Sequence, residues 1–193
     1  MNPIETEVKI PLADLGNMKK KLADAGFAVS VAREHEVNDI YDTPSQSLRQ
    51  NGMLLRLRQV GKRSILTFKG PGQPGPHKSR AELETNVGSL DTMQQIFEQL
   101  DYRPVFRYEK YRTEFIDSGQ RGTVTLDETP IGNFLEIEGP GDWIDQTAAR
   151  LGFTAKDYLL DSYGKLYLDY CTRLGIKPSN MVFPTTHEER PVT

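Results

Sequence analysis

The sequence contains one cysteine and no long apolar segment, and these two absences narrow the class of protein. Cys171 alone cannot form an internal disulfide bond, and its apolar and aromatic neighbours indicate a buried structural thiol. No stretch approaches the roughly 20 apolar residues that span a bilayer, and the first residues lack the basic start and apolar run of a signal peptide. We therefore expect a cytoplasmic protein that has no membrane partner.

The sequence also lacks a basic excess and a Walker-type phosphate loop. It contains 24 Lys and Arg against 27 Asp and Glu, a formal net charge of -3, so we expect no nucleic-acid partner. The Gly- and Pro-rich stretch GPGQPGPHKS at 70–79 has the wrong spacing for a Walker loop, and its prolines remove amide donors. We interpret it as a mobile rim loop, with a ligand cradle as the alternative.

Length and composition favour one domain. A chain of 193 residues with 37% hydrophobic content can build one good core but is short for two. We predict a single domain over residues 1–175, followed by a loose C-terminal extension over 176–193. The polar end of that extension, PTTHEERPVT, is typical of a loose tail. A homodimer is left open.

Hydrophobic spacing predicts four helices and eight strands. Apolar residues recur every three or four positions from Leu12 to Leu22 and, after the candidate N-cap Ser89, from Leu90 to Leu100. Two further helices are predicted over 143–151 and 156–174. Strands are predicted where apolar and polar residues alternate. Their ranges are 4–10, 37–42, 53–60, 63–70, 79–87, 107–117, 121–128 and 133–139.

Nearly every predicted strand carries charged residues opposite its apolar face. In ETEVK, Glu5, Glu7 and Lys9 share one side because side chains alternate along a strand. The wet face of an open sheet explains one such strand, but the charges recur here in like pairs such as Arg56 and Arg58. Eight antiparallel strands can close into a barrel. We therefore predict a barrel whose apolar faces are covered by helices and whose charged faces line a tunnel.

Charges inside a tunnel must be paired or must bind a charged ligand, because burying an ion costs on the order of several kcal/mol. Basic side chains match phosphate oxygens, and carboxylates bind Mg²⁺ or Mn²⁺, which bridge phosphates. The mixed set therefore predicts a site for a polyphosphate with a divalent metal. The inward residues are Lys9, Arg56, Arg58, Lys69, Lys110 and Arg112 on the basic side, and Glu5, Glu7, Glu82, Glu84, Asp127, Glu136 and Glu138 on the acidic side.

These motifs resemble those of the CYTH superfamily, the triphosphate tunnel metalloenzymes. ETEVK is similar to the ExExK signature of that family. The resemblance continues through YDTPSQSLRQNGMLLRLR, TFKGP, SRAELE, RYEKYR, TLDETPIGNFLEIEG and DSYGKLY, and so covers most of residues 4–167. It implies an α+β fold, in which an eight-stranded antiparallel β-barrel has its helices packed outside.

The resemblance also implies a role for each charged residue. The triphosphate would be bound by Lys9, Arg56, Arg58, Lys69, Lys110 and Arg112. One or two Mg²⁺ or Mn²⁺ ions would be held by Glu5, Glu7, Asp127, Glu136 and Glu138. Supporting roles would fall to Glu82, Glu84 and Asp42. The candidate catalytic residues are Lys9, Glu5 and Glu7.

One position departs from some thiamine triphosphatases of the family. Those enzymes pair the lysine of ExExK with a tyrosine two residues before the aspartate of the second motif. Here that position is Ile40, and alternation predicts that Tyr41 faces outward. The sequence therefore does not predict a Lys/Tyr base.

Several functions are compatible with this site. Hydrolysis of tripolyphosphate or of a nucleoside or thiamine triphosphate is favoured, because the sequence reveals no apolar slot for an adenine base. The alternative reaction is that of a class IV adenylyl cyclase, which converts ATP to cyclic AMP and pyrophosphate. A non-catalytic polyphosphate or nucleotide binder is a further alternative, although a simple anion trap gains little from so many carboxylates. A structural barrel with internally paired charges is the last.

Overall fold

Eight strands form a closed antiparallel barrel in the computed structural model, which describes residues 4–184. Around the barrel they follow the order β1-β5-β4-β3-β2-β6-β7-β8. Their bounds are β1 Ile4–Leu12, β2 Ala28–Asp42, β3 Leu54–Val60, β4 Arg63–Lys69, β5 Lys78–Val87, β6 Arg103–Ile116, β7 Thr123–Thr129 and β8 Gly132–Glu138. The predicted α+β barrel is confirmed.

Helices connect and cover the strands. Their bounds are α1 Leu15–Asp24, α2 Ser47–Gln50, α3 Leu90–Gln99, α4 Gly141–Leu151 and α5 Tyr163–Leu174. The side chains of Asp14 and Ser89 cap α1 and α3 by accepting the backbone N–H of Asn17 and Thr92. In the span from 4 to 184, no helix has both the length and the apolar character needed to cross a membrane.

The main core lies outside the barrel. The outward side chains of β1, β7 and β8, such as Val8 and Ile137, pack against Leu22 of α1 and against Trp143 and Ile144 of α4. Helix α3 covers β2, β3 and β4 through a second cluster. Tyr41 belongs to that cluster, with its ring 4.8 Å from the ring of Phe97, so the outward orientation predicted for Tyr41 is confirmed.

Helix α5 packs across one end of the barrel. The ring of Tyr163 lies 6.0 Å from that of Tyr108 on β6 and 5.5 Å from that of Phe134 on β8, and Tyr167 stacks on Phe106. Cys171 is fully buried in the same cluster, as predicted for a structural thiol. The aromatic cluster thus lines this end of the tunnel.

Three sequence-based boundaries were wrong, and one short helix was missed. Strand β2 begins at Ala28 rather than 37, because its first half pairs with β6 through two register shifts that break simple alternation. Strand β1 includes Leu12, which was expected in α1. The last helix begins at Tyr163 rather than 156, because the preceding chain forms a short 3-10 turn and Leu159 pairs with the backbone of Lys9. The four-residue helix α2 was not predicted.

The described part of the C-terminal extension packs on the barrel. Met181 is buried, and its backbone exchanges hydrogen bonds with β6 through Arg107 and Glu109 at 2.9 Å each. The side chain of Asn180 accepts the backbone N–H of Arg107. The extension, which was expected to be loose from 176 onwards, is therefore attached to the barrel at Asn180 and Met181, and its end, 185–193, lies outside the described residues.

Candidate active site: a charged tunnel

The barrel encloses a cavity of about 990 Å³. Within residues 4–184 its wall includes ten basic and eight acidic side chains, although charged groups are rare in protein interiors. The basic residues are Lys9, Arg49, Arg56, Arg58, Lys69, Lys78, Arg80, Lys110, Arg112 and Lys165, and the acidic residues are Glu5, Glu7, Asp42, Glu82, Glu84, Glu114, Glu136 and Glu138. Every residue predicted for the site lies on this wall except Asp127, which is buried behind it.

Strand register sets opposite charges side by side across the tunnel wall. Cross-strand neighbours of opposite charge stabilise a sheet, and like charges destabilise it. Glu7 obeys this rule on one side only: it faces Lys78 on β5 but the like-charged Glu138 on β8. Six inward pairs obey the rule: Glu5–Arg80, Glu7–Lys78, Lys9–Glu136, Glu36–Lys110, Lys69–Glu82 and Arg112–Asp127.

Asp127 is a fully buried anion that holds two of the cations. It accepts hydrogen bonds from Lys110 Nζ at 2.8 Å, from Arg112 Nε at 2.7 Å and from the hydroxyl of Tyr163 at 2.7 Å. Arg112 also bridges to Glu136 at 2.5 Å. Because protein donors already occupy both oxygens of Asp127, this arrangement does not support its predicted role as a metal ligand.

Lys9 is held as a cation at the centre of β1. Its Nζ lies 2.9 Å from Glu7 Oε1 and 3.3 Å from Glu136 Oε1, and 5.3 Å from the centre of the Tyr163 ring. Burial opposes the charge, but Glu136 and then Glu7 hold the pKa of Lys9 above its usual range. Lys9 is therefore suited to neutralising negative charge, and not to accepting a proton.

Arg56 and Arg58 are anchored by neutral and acidic groups on neighbouring strands. Arg56 donates to the hydroxyl of Tyr108 at 3.2 Å and to Thr67 at 3.1 Å. Arg58 donates to Asn38 Oδ1 at 3.2 Å and to Glu36 Oε1 at 3.4 Å. Burial works against the Glu36 charge, but Lys110 and Arg58 lower its pKa to about 2.

Sequence reasoning missed Glu36 and Asn38. Both are inward residues of β2, with 4% and 0% of their surface exposed, and Glu36 Oε2 and Asn38 Nδ2 have no hydrogen-bond partner in the described structure. The predicted strand began after Glu36, and a neutral asparagine does not stand out among charged residues. The signal that could have found Glu36 is its spacing of six from Asp42, which places both on one face of a strand.

The β4 and β5 side of the tunnel carries interlocked pairs. Lys69 Nζ lies 2.6 Å from Glu5 Oε2 and 3.2 Å from Glu82 Oε2. Glu84 accepts a hydrogen bond from Thr67 at 3.0 Å and lies 3.7 Å from Arg56 Nη2. Glu82 and Glu84 thus contact basic residues, as expected of supporting residues.

Glu5, Glu7 and Glu138 define an acidic wall where β5, β1 and β8 meet. The Glu138 side chain opens into the lumen, yet partial desolvation and then repulsion by Glu5 and Glu7 raise its pKa to about 7. In the described residues no three acidic, His or Cys side chains converge as a ready-made metal site. Glu5 and Glu7 are paired with lysines, whereas Glu138 has no ion-pair partner within residues 4–184. Carboxylate oxygens are hard donors of the kind that Mg²⁺ and Mn²⁺ prefer, so this wall fits a divalent ion.

Lys78 and Arg80 also face the acidic wall and were not assigned to the site from the sequence. Lys78 Nζ lies 2.7 Å from Glu7 Oε1, and Arg80 Nε lies 3.6 Å from Glu5 Oε2. Burial and then Lys9 lower the pKa of Lys78 to about 8, against the pull of Glu7. Lys78 had been grouped with the rim loop, although it begins β5 and alternates with Arg80 and Glu82.

One mouth of the tunnel is apolar, a feature that the sequence did not reveal. Ile40, Val105 and Phe106 line it together with Tyr167 and Leu168 of α5, and the rings of Phe106 and Tyr167 stack with centres 5.7 Å apart. These residues come from three distant segments, so no linear motif marks them. A planar or apolar group attached to a triphosphate would find a surface here.

Asp42 lies beside this mouth and organises α2. Its carboxylate accepts the backbone N–H groups of Thr43, Leu48 and Arg49 at 2.8, 2.9 and 3.0 Å. These hydrogen bonds hold its pKa below the usual value despite burial. Asp42 therefore fixes the segment that carries Arg49 to the tunnel wall, in keeping with the supporting role predicted for it.

Comparison with known proteins adds independent information. Residues 3–163 match the model of the CYTH domain. A candidate adenylate cyclase from Methanocaldococcus jannaschii is 25% identical over 135 residues, which are 70% of this chain and 76% of that protein. Adenylate cyclase CyaB from Aeromonas hydrophila is 26% identical over 177 residues, which are 92% and 83% of the two chains.

Solved structures share the fold at lower identity. A candidate adenylate cyclase from Vibrio parahaemolyticus superposes with a TM-score of 0.76 at 21% identity, covering 86% of this chain and 98% of the other. A candidate adenylyl cyclase from Hippeastrum, described as having a dominant triphosphatase activity, superposes with a TM-score of 0.60 at 16% identity, covering 92% and 98%.

Proposed function

This chain belongs to the CYTH domain family, and on that premise we propose that it is a divalent-metal-dependent enzyme that hydrolyses the terminal phosphate of small-molecule triphosphates. The observation that carries the proposal is the like-charge pair Glu7 and Glu138, opposed across β1 and β8 inside a tunnel of cations. The cations suit phosphate oxygens, and the acidic pair suits a metal ion that accompanies them.

The proposed phosphate contacts come from residues already held in place by buried anions. Lys110 and Arg112 are fixed by Asp127, and Lys9 by Glu136. Preorganised cations lose little conformational freedom when an anion binds, and in a poorly solvated site their attraction is strong. The full proposed set is Lys9, Arg56, Arg58, Lys69, Lys110 and Arg112.

The proposed metal ligands are Glu7 and Glu138, together with Glu5. Glu5 accepts hydrogen bonds from Lys69 at 2.7 and 2.6 Å. Glu7 contacts Lys9 and Lys78 through Oε1, so in this proposal the metal ion replaces lysine contacts at both residues. We place Asp127 and Glu136 beneath the cations instead, because Asp127 is fully buried and both residues also contact Arg112. A bound Mg²⁺ or Mn²⁺ would neutralise phosphate charge and lower the pKa of bound water. The wall itself cannot neutralise a triphosphate, since its ten basic residues face eight acidic ones, and this balance supports entry of the substrate with a metal ion.

The protonation states favour electrostatic catalysis by the chain. Asp127 and Glu136 raise the pKa of Tyr163 well above its usual value, on top of burial, and Lys9 stays charged for similar reasons. Neither group is a suitable base near neutral pH. Their role in the proposed reaction is to hold positive charge and hydrogen-bond donors around the phosphoryl group as its charge redistributes.

Cyclisation of ATP to cyclic AMP and pyrophosphate is the second candidate. The apolar mouth could hold a nucleoside, and two relatives are named adenylate cyclases. Hydrolysis is preferred because two of the polar groups beside the apolar residues of the mouth are already engaged. Asn180 Oδ1 accepts the N–H of Arg107, and the Tyr167 hydroxyl donates to the carbonyl of Asn180. A mouth that contacts the organic group through apolar surface, without hydrogen bonds specific to one base, should accept varied triphosphates.

Product analysis tests the proposal. The protein is incubated with tripolyphosphate, ATP or thiamine triphosphate and Mn²⁺ or Mg²⁺, and phosphate, pyrophosphate and cyclic AMP are separated. We expect orthophosphate from several substrates and little cyclic AMP, with no turnover in excess chelator. Cyclic AMP and pyrophosphate as main products from ATP would establish the cyclase. Binding without turnover under all conditions would instead establish a non-catalytic binder.

A further inference from the structure

Lys78 and Lys9 place two ammonium groups on one carboxylate oxygen of the acidic wall. Lys9 Nζ lies 2.9 Å and Lys78 Nζ 2.7 Å from the same atom, Glu7 Oε1. A divalent ion that binds Glu7 would meet both positive charges within a few ångströms. At that separation in a poorly solvated site, like charges repel strongly, so at least one ammonium group must leave.

The two lysines differ in what else holds them. Lys9 has Glu136 as a second partner, lies against the Tyr163 ring and is 3% exposed. Lys78 is less enclosed, with 14% of its side chain exposed, and Glu7 is the one carboxylate within 4 Å of its Nζ among the described residues. Lys78 is therefore the ammonium group that leaves Glu7 when a divalent ion binds.

The backbone at Lys78 is fixed while its side chain is not. His77 Nε2 lies 2.9 Å from Asp145 of α4, and the ring packs against Gly141. The backbone N–H of Gln73 donates to the carbonyl of Ser79 at 2.7 Å and closes the rim loop. Movement of Lys78 therefore means rotation of its side chain about an anchored Cα, inside a tunnel whose wall it already lines.

We propose that Lys78 exchanges partners, contacting Glu7 in the metal-free tunnel and a phosphate oxygen of the substrate once a divalent ion binds the acidic wall. This inference rests on the proposed function. Lys78 thereby becomes a seventh phosphate-binding residue. In the metal-free protein its ammonium group contacts the Glu7 carboxylate, and the metal ion takes its place there on binding. Substrate and metal binding are coupled through this one side chain, because the metal releases the cation that the phosphate then takes.

Two binding measurements on Lys78→Met test the exchange. Titration with Mn²⁺ alone, followed by calorimetry or electron paramagnetic resonance, should show tighter binding than in the parent, because a competing cation is gone. Titration of tripolyphosphate at saturating Mn²⁺ should show binding weakened by about tenfold, the usual effect of losing one charge-assisted contact. Lys78→Arg should stay near the parent in both titrations.

The matched control is Lys62→Met, which removes an exposed lysine from the turn between β3 and β4 and should change neither affinity. Shifts of both affinities in the same direction, or no shift in either, would overturn the exchange while leaving the proposed function standing. A parent protein that binds neither Mn²⁺ nor tripolyphosphate would instead overturn the proposed function, and the exchange with it.

Discussion

The two sides of the tunnel solve the problem of buried charge in different ways. Around β6 and β7, Lys110 and Arg112 are balanced by Asp127, an anion with no exposed surface. Around β1 and β8, Glu7 is paired with Lys9 and Lys78, but Glu138 faces Glu7 across the sheet and has no ion-pair partner of its own among the described residues. On the balanced side, the buried charges are paired within the protein, and we expect the stability of the fold to depend on this ionic network. The acidic side keeps one carboxylate, Glu138, without a partner cation, and our proposed function assigns the metal ion to that side.

Removing Asp127 should have the largest effect. Asp127→Asn leaves Lys110 and Arg112 buried without their shared counter-ion, so we expect the free energy of unfolding to fall by about 3–5 kcal/mol. Denaturant unfolding monitored by circular dichroism measures it. Asp142→Asn is the control, because the pair of Asp142 with Arg121 lies on the surface and should contribute little. A stability near that of the parent in Asp127→Asn would show that the balanced side is not a structural network.

Arg56→Ala should weaken substrate binding on the cation side. The substitution deletes a buried guanidinium from the phosphate set, and the affinity for tripolyphosphate should drop by about tenfold or more. Calorimetric titration in Mn²⁺ measures the change, with Lys62→Met as the reference. An affinity equal to that of the parent would remove Arg56 from the phosphate contacts.

Glu138→Gln should stabilise the metal-free protein, whereas Asp127→Asn should destabilise it. It removes one of two repelling carboxylates, so the metal-free protein should melt at a higher temperature while its Mn²⁺ affinity falls. A loss of melting temperature together with unchanged Mn²⁺ affinity would contradict the assignment of Glu138 to the acidic wall.

The same carboxylate predicts a pH dependence. The pKa of Glu138 rises from its ordinary 4.5 to about 7 on folding, so the folded protein binds this proton more tightly than the unfolded chain. Its contribution to stability is therefore present below pH 4.5 and is lost as the pH rises towards about 7. In chelator, the melting temperature of the parent should fall relative to Glu138→Gln across this window. A constant difference between the two proteins would refute the raised pKa.

The smallest effect is expected at the apolar mouth. Phe106→Leu keeps an apolar side chain but removes the ring that stacks on Tyr167. The ratio of kcat/KM for ATP to that for tripolyphosphate should fall by about two- to fivefold, since a partly exposed aromatic contact contributes roughly 0.5–1 kcal/mol. Equal losses for the two substrates would place Phe106 outside any contact with the organic group.

The alternation of residues in the chain was sufficient to predict which side chains face inward. A strand has a period of two, so ETEVK alone places Glu5, Glu7 and Lys9 together, and the same rule turned Tyr41 outward, as observed. Closure into a barrel was predicted because eight antiparallel strands can pair edge to edge, which places their charged faces inside a tunnel. The alternation failed in the first half of β2, where the register shifts between Val29 and Glu34. The predicted strand therefore began too late, at 37, and left out Glu36.

Partners, by contrast, are a property of the tertiary structure. Nothing local distinguishes Asp127 from Glu138, since both are acidic residues at inward positions of neighbouring strands. Register decides that Asp127 faces Arg112 while Glu138 faces Glu7, and the Tyr163 of a distant helix completes the first site. The sequence determined the barrel and its charged lining, because alternation is a short-range property of the backbone. Only the folded chain decided which carboxylates are satisfied and which remain available for a metal ion, because Coulomb energies depend on distances between residues far apart in sequence.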